Sequence, residues 1–100
     1  MGAFKLSIDR RAVYDIEDAT EYYDRQQHGL GARFEKELIE ILQILENTPH
    51  FDNRYANVRC VPLRKFPFMI HFTIDEVKAE VIIRAVFHTS LDPKKWKERD

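Results

Sequence analysis

The sequence predicts an α+β fold of order β-α-α-β-β-β. Three observations carry that prediction: two helical apolar stripes flank Gly29-Leu30-Gly31, a short alternating run precedes them, and three β-rich runs follow. At 100 residues the chain falls within the usual range of one domain, and residues 1–100 read as a single unit with no linker or internal repeat. A hydrophobic content of 44%, an aromatic content of 12% and only 3 glycines exclude a disordered or low-complexity chain.

Phe4, Leu6 and Ile8 alternate with Lys5 and Ser7 as a half-buried strand does, and Asp9 ends the run. Asp9 also suits a helix N-cap, because its carboxylate can accept the first free backbone N–H groups. Val13, Ile16, Ala19, Thr20 and Tyr23 then recur at helical steps and form one apolar stripe. Asp15, Glu17, Asp18, Glu21 and Asp24 make an acidic face, expected to be solvated or to meet a partner or a second copy in a homodimer. Of Tyr22 and Tyr23, one is expected in the core and the other against a partner. The helix is expected to stop near Gln27-His28, where the glycines permit a tight reversal.

Phe34, Leu38, Ile41, Leu42 and Leu45 form the stripe of the second helix. Glu35, Glu37 and Glu40 read as largely off it, and Asn47-Thr48-Pro49 ends it. His50 to Ala56 has no clear period and reads as a surface loop with Phe51 or Tyr55 against the core. Val58 to Leu63, Phe66 to Ile74 and Ala79 to Phe87 read as an antiparallel meander, with Phe68, Ile70, Phe72 and Ile74 as one buried face. Both faces of the last run are apolar, which predicts a central strand, whereas Pro62 predicts an edge or bulged position for the first of the three. Asp92-Pro93 reads as an N-cap and first helical position, opening a short turn through Trp96.

Charge is distributed unevenly. Asp9 to Glu46 carries ten acids and five bases, and Asn47 to Asp100 carries seven acids and ten bases, although the net charge is only −1. Arg54, Arg59, Arg64 and Lys65 occur with no acid between Asn53 and Ile74, which predicts a positive patch. Cys60 is the only cysteine and has no Cys/His cluster near it, so neither a disulfide, a metal site nor a cofactor is expected. The start of the chain lacks the apolar run of a secretory signal, and no stretch approaches the length of a membrane span. A soluble cytoplasmic protein without membrane contact is expected.

Four segments in this order carry a resemblance: Ala12 to Glu21 followed by Tyr22-Tyr23, Gly29-Leu30-Gly31-Ala32-Arg33-Phe34, Phe66-Pro67-Phe68-Met69-Ile70, and Ala85-Val86-Phe87-His88-Thr89-Ser90-Leu91-Asp92-Pro93-Lys94-Lys95-Trp96. Together they span nearly the whole chain, and with the order of elements they resemble the RelE/ParE toxin family, also known as plasmid-stabilisation proteins. The resemblance implies a bacterial toxin of a type II toxin–antitoxin system, growth-inhibitory and neutralised by a cognate antitoxin. It implies one of two activities: inhibition of DNA gyrase by binding, or cleavage of mRNA on the ribosome. A remnant that only binds a partner is the remaining alternative.

Metal-free RNA cleavage needs a base, an acid and cations around one phosphate. Strand alternation puts Arg84 and His88 on one face, and His71 would join them if the faces of the two strands coincide, with Arg64 or Lys65 at the margin. His71 reads more readily as a half-buried sheet residue, and His88 can equally bond the turn toward Asp92. Arg59, Trp96, Lys94 and Lys95 are the candidates for contact with a target or nucleic acid. Trp96, amid a basic tail with Lys97 and Arg99, reads more readily as packed back on the sheet. For the ribonuclease branch the resemblance implies arginines where this chain has Met69 and Leu91, and Trp96 offers no ionisable hydroxyl. The binding, ParE-like reading is therefore preferred to the endonuclease.

Overall fold

A computed structural model describes residues 3–98. Arg99 and the side chain of Lys97, both assigned to the basic tail, lie outside the described residues. The elements are β1 (Lys5–Ile8), α1 (Arg10–Gln26), α2 (Leu30–Asn47), β2 (Asn53–Tyr55), β3 (Val58–Pro62), β4 (Phe68–Asp75), β5 (Glu80–His88) and α3 (Pro93–Glu98). The sheet order is β1-β5-β4-β3-β2, with β1 parallel to β5 and the other pairs antiparallel. This is an α+β fold, as the sequence predicts, with one added strand. β2 lies within the segment expected to be loop, and it takes one edge of the sheet with β1 at the other, so β3 is an inner strand and not the edge strand that Pro62 suggests. Pro62 falls at the end of β3 beyond the last pairing with β2, so its missing N–H interrupts no ladder there.

Asp9 is the N-cap of α1, and its carboxylate accepts the Arg11 backbone N–H at 2.9 Å. The Arg11 side chain donates to the same group at 3.2 Å. This bond and then the backbone bond hold the Asp9 carboxyl below its ordinary value of 3.8. A carboxyl whose folded pKa is depressed contributes stability above its unfolded pKa and loses it as pH falls through the folded one. Asp9→Ala is therefore expected to destabilise the chain by about 1 kcal/mol at neutral pH. In urea titrations the gap from the parent should narrow as the pH falls below the ordinary carboxylate range and the Asp9 carboxyl takes up its proton.

Gly29 takes φ 88 between the helices, a left-handed value that favours glycine. Gly31 serves close approach instead, since a Cβ there would lie 2.6 Å from the Thr20 carbonyl oxygen of α1. Its N–H is met by Asp24 at 2.9 Å. Asp15 also turns inward. β1 accompanies β5 only as far as Ile83, and the Val86 N–H beyond it donates to Asp15 at 3.0 Å. Two carboxylates of the acidic face thus complete the backbone of their neighbours. The buried stripe of α1 runs through Ala12, Ile16, Ala19 and Tyr23, leaving Val13 partly exposed, against the sequence expectation.

One core lies between the helical hairpin and the sheet. Phe34, Leu38, Ile41, Leu42 and Leu45 of α2 meet Ile70 and Phe72 of β4 and Val81, Ile83 and Val86 of β5. That β5 set switches from odd to even numbers because of a bulge: His71 pairs with Ala85 but Phe72 pairs with Ile83, so Arg84 is the extra residue. An extra residue reverses which face every later side chain takes. Val86 and His88 accordingly face the helices. Ala85 and Phe87 join His71 and Thr73 on the outer face, and all four are buried.

Candidate functional site

The bulge separates two residues that simple alternation joins. The Arg84 guanidinium bonds Thr73 Oγ1 at 3.0 Å on the outer face and approaches Asp9 at 3.8 Å. The His88 ring lies 5.2 Å from Phe68 on the helix side. Arg84 and His88 therefore do not share a face, and the expected grouping of His71, Arg84 and His88 does not form.

His71 is 0% exposed on the outer face, a sheet residue as its apolar strand implies but fully buried where a half-buried one is expected. Tyr55 Oη lies 3.2 Å and Cys60 Sγ 3.3 Å from its Nδ1. Trp96 covers it from α3, with ring centroids 4.8 Å from His71 and 5.8 Å from Tyr55. Trp96 thus packs back on the sheet, the more bland of its two sequence readings. Burial raises the Cys60 thiol above its ordinary pKa, against a smaller lowering by Arg54, so it is a poor nucleophile at neutral pH. Arg54 also points a guanidinium nitrogen at Met69 Sδ, 3.6 Å away, bringing a cation beside the position where the resemblance implies one. Sequence reading placed Arg54 in the positive patch but not at this position, because the pairing of β2 is what carries it there. Arg59 bonds Asn53 across the β2–β3 pair at 3.0 Å, a structural use of that cation. Lys94 and Lys95 are exposed on α3, whose first turn is capped by Asp92 through the Lys94 N–H at 3.0 Å.

His88 stands at the rim of a groove of about 480 Å³ between α1 and the β4–β5 pair. Its Nδ1 meets the Ser90 backbone N–H at 3.1 Å and the Ser90 hydroxyl at 2.7 Å. A backbone N–H only donates, so Nδ1 is an acceptor and neutral His88 carries its proton on Nε2. Asp15, Asp18 and the half-exposed Tyr22 line the same groove, while Tyr23 packs among Phe34, Phe66 and Phe68. The two tyrosines divide as expected, one toward the core and one outward.

Arg64 and Lys65 lie elsewhere, in the β3–β4 connection against α2. The Glu37 carboxylate accepts both of their backbone N–H groups, that of Lys65 at 3.0 Å. Glu37 is only 7% exposed, which corrects its placement off the apolar stripe. A helical signal for this was present, because Glu37 lies three residues after Phe34 and four before Ile41.

No protein-family model matches the chain, and no curated protein is detectably similar to it in sequence. Solved structures are similar in fold. The chain resembles one from the chromosomal ParDE toxin–antitoxin system of Pseudomonas aeruginosa with a TM-score of 0.78 at 16% identity, covering 88% of this chain and 98% of that one. A chain of the Mycobacterium tuberculosis RelBE2 toxin–antitoxin complex gives 0.60 at 18% identity, over 88% and 93%. A chain of the intact Escherichia coli RelBE toxin–antitoxin complex gives 0.52 at 17% identity, over 89% and 100%. The helical hairpin packed on a mixed five-stranded sheet therefore matches the RelE/ParE toxin fold.

Proposed function

We propose that this protein is the toxin component of a type II toxin–antitoxin system, cytoplasmic, growth-inhibitory, and neutralised by a cognate antitoxin. In this reading it is ParE-like and acts by binding its target, with DNA gyrase as the first candidate. The observation that carries the proposal is the fit to the ParDE chain, whose TM-score of 0.78 exceeds the 0.60 and 0.52 of the two RelBE chains over similar lengths. The dispersal of Arg84, His88, Arg64 and Lys65 supports a binding mode, since phosphoryl chemistry without a metal needs its groups around one atom. The RelBE and RelBE2 structures are toxin–antitoxin complexes, and a comparable partner is proposed for this chain.

The test is induction of the gene alone in a bacterial host. Growth arrest that is relieved by coexpressing the adjacent reading frame, with loss of gyrase supercoiling by the purified chain, is the expected result. Arrest with intact supercoiling and new mRNA ends by primer extension would replace this mode with the endonuclease reading. The exposed His88 then becomes the first residue to substitute. Harmless overexpression with tight partner binding would select a non-toxic binding module.

A further inference from the structure

Several cations of this chain meet an acid. Arg11 and Arg84 meet Asp9, and Arg25 meets Glu21. Arg33, Lys36, Arg64 and Lys65 differ. All four are exposed, all line one cleft of about 830 Å³, and among the described residues none of them pairs with a carboxylate.

The cleft has two cationic walls, each with a structural cause. Arg33 and Lys36 stand three residues apart on α2 and so share a helix face. Arg64 and Lys65 form the facing wall because Glu37 holds their backbone N–H groups against α2. The carboxylate best placed to neutralise the cleft is thereby buried and engaged with backbone. Glu40 is the exposed acid at the rim, leaving four positive charges against two negative ones in a chain whose net charge is −1. The partly exposed rings of Tyr23 and Phe66, whose centroids are 4.9 Å apart, line the same cleft.

We propose that this cleft binds nucleotide phosphates, either of a free nucleotide or of a single-stranded segment. Arg33, Lys36, Arg64 and Lys65 take the phosphates, and Tyr23 and Phe66 offer ring surface to a base. Carboxylates of an acidic peptide would also meet the cations. Rings and cations lining one cleft match the combination that holds single strands, a charged track for the backbone with π-faces for the bases. The volume lies within the range of sites that enclose a small ligand. The inference stands apart from the toxin reading, and failure of either leaves the other intact.

The experiment is fluorescence anisotropy of the full chain with labelled oligo-dT and oligo-U, with ATP and GDP as competitors. Three to four phosphate contacts predict a weakening of roughly 20- to 50-fold between about 50 and 200 mM salt. The double variant Arg33→Ala/Lys36→Ala keeps good helix formers at exposed positions. It should bind at least about tenfold more weakly, with a log–log salt slope shallower by about 1.4. Arg64→Gln/Lys65→Gln provides a second wall to test, and circular dichroism reports that each variant is folded. Lys94→Ala/Lys95→Ala tests the rival contact on α3 that the sequence suggests, and Lys78→Ala in the β4–β5 connection should leave affinity and slope unchanged. Displacement of the strand by ATP assigns a free nucleotide, and strand binding without displacement assigns the polymer. Absence of binding to all these probes, tighter binding of a poly-glutamate peptide, or loss of binding in the α3 variant with both cleft variants unaffected would each overturn the proposal.

Discussion

Phe34→Ala is expected to lower the unfolding free energy by about 3–5 kcal/mol, and the thermal midpoint by on the order of 15 °C or more. Phe34 is 0% exposed. Its ring centroid lies 5.5 Å from Tyr23 and 5.3 Å from both Phe66 and Phe68, so one side chain ties α1, α2 and the start of β4 together. Removing it deletes the edge-to-face contacts along with the buried area, and the cavity is bounded by rings attached to three elements that cannot all close on it. A domain of this size has only about 5–15 kcal/mol in total, so the variant should sit near the edge of stability. Phe34→Leu, which refills most of the volume, should recover more than half of the loss in guanidinium titrations. Equal midpoints for the two variants would contradict this account of the core.

Glu37→Ala should cost about 2–4 kcal/mol, because two backbone N–H groups lose a charged acceptor and hydrogen bonds to charged groups contribute about 1.5–3 kcal/mol each. The lower part of that range applies if water reaches Arg64 and Lys65 once the carboxylate is gone. Glu37→Gln tests the mechanism more closely, since its single carbonyl oxygen can accept one bond while its amide group opposes the second donor. It should fall between parent and alanine variant in urea unfolding. Amide hydrogen exchange at Arg64 and Lys65 should accelerate in both variants. Unchanged exchange there would show that the carboxylate does not hold this connection in solution.

Elements with a cap and a sustained period were legible from the residues. Asp9 begins α1, Gly29 turns the chain into α2, and Asp92-Pro93 begins α3, each by a local mechanism that acts without the rest of the fold. β2 was not legible, because Asn53, Arg54 and Tyr55 have no period and become a strand only by pairing with β3. The position of Arg84 was hidden for a different reason. A bulge adds one residue without altering composition or hydrophobicity, and it moves Val86 and His88 to the opposite face from the one alternation assigns. The candidate site inherited that error directly. Glu37 marks the converse case, a charged residue at a core position of the helical repeat, where its charge masked a spacing that placed it correctly.

The parallel pairing of β1 with β5 joins Lys5 to Glu80, so the first strand made waits for the last. During synthesis the α1–α2 hairpin can form as soon as Asn47 is available, since its contacts are local. β1 has no neighbour in the sheet until β5 exists, and β5 must enter between β1 and β4. Up to that moment the apolar faces of both helices have no complete sheet to cover them, and the nascent domain is open to capture or aggregation. The sheet, and any surface built across it, is therefore incomplete until β5 has been made and inserted. That delay is a property of topology alone and needs no partner to impose it.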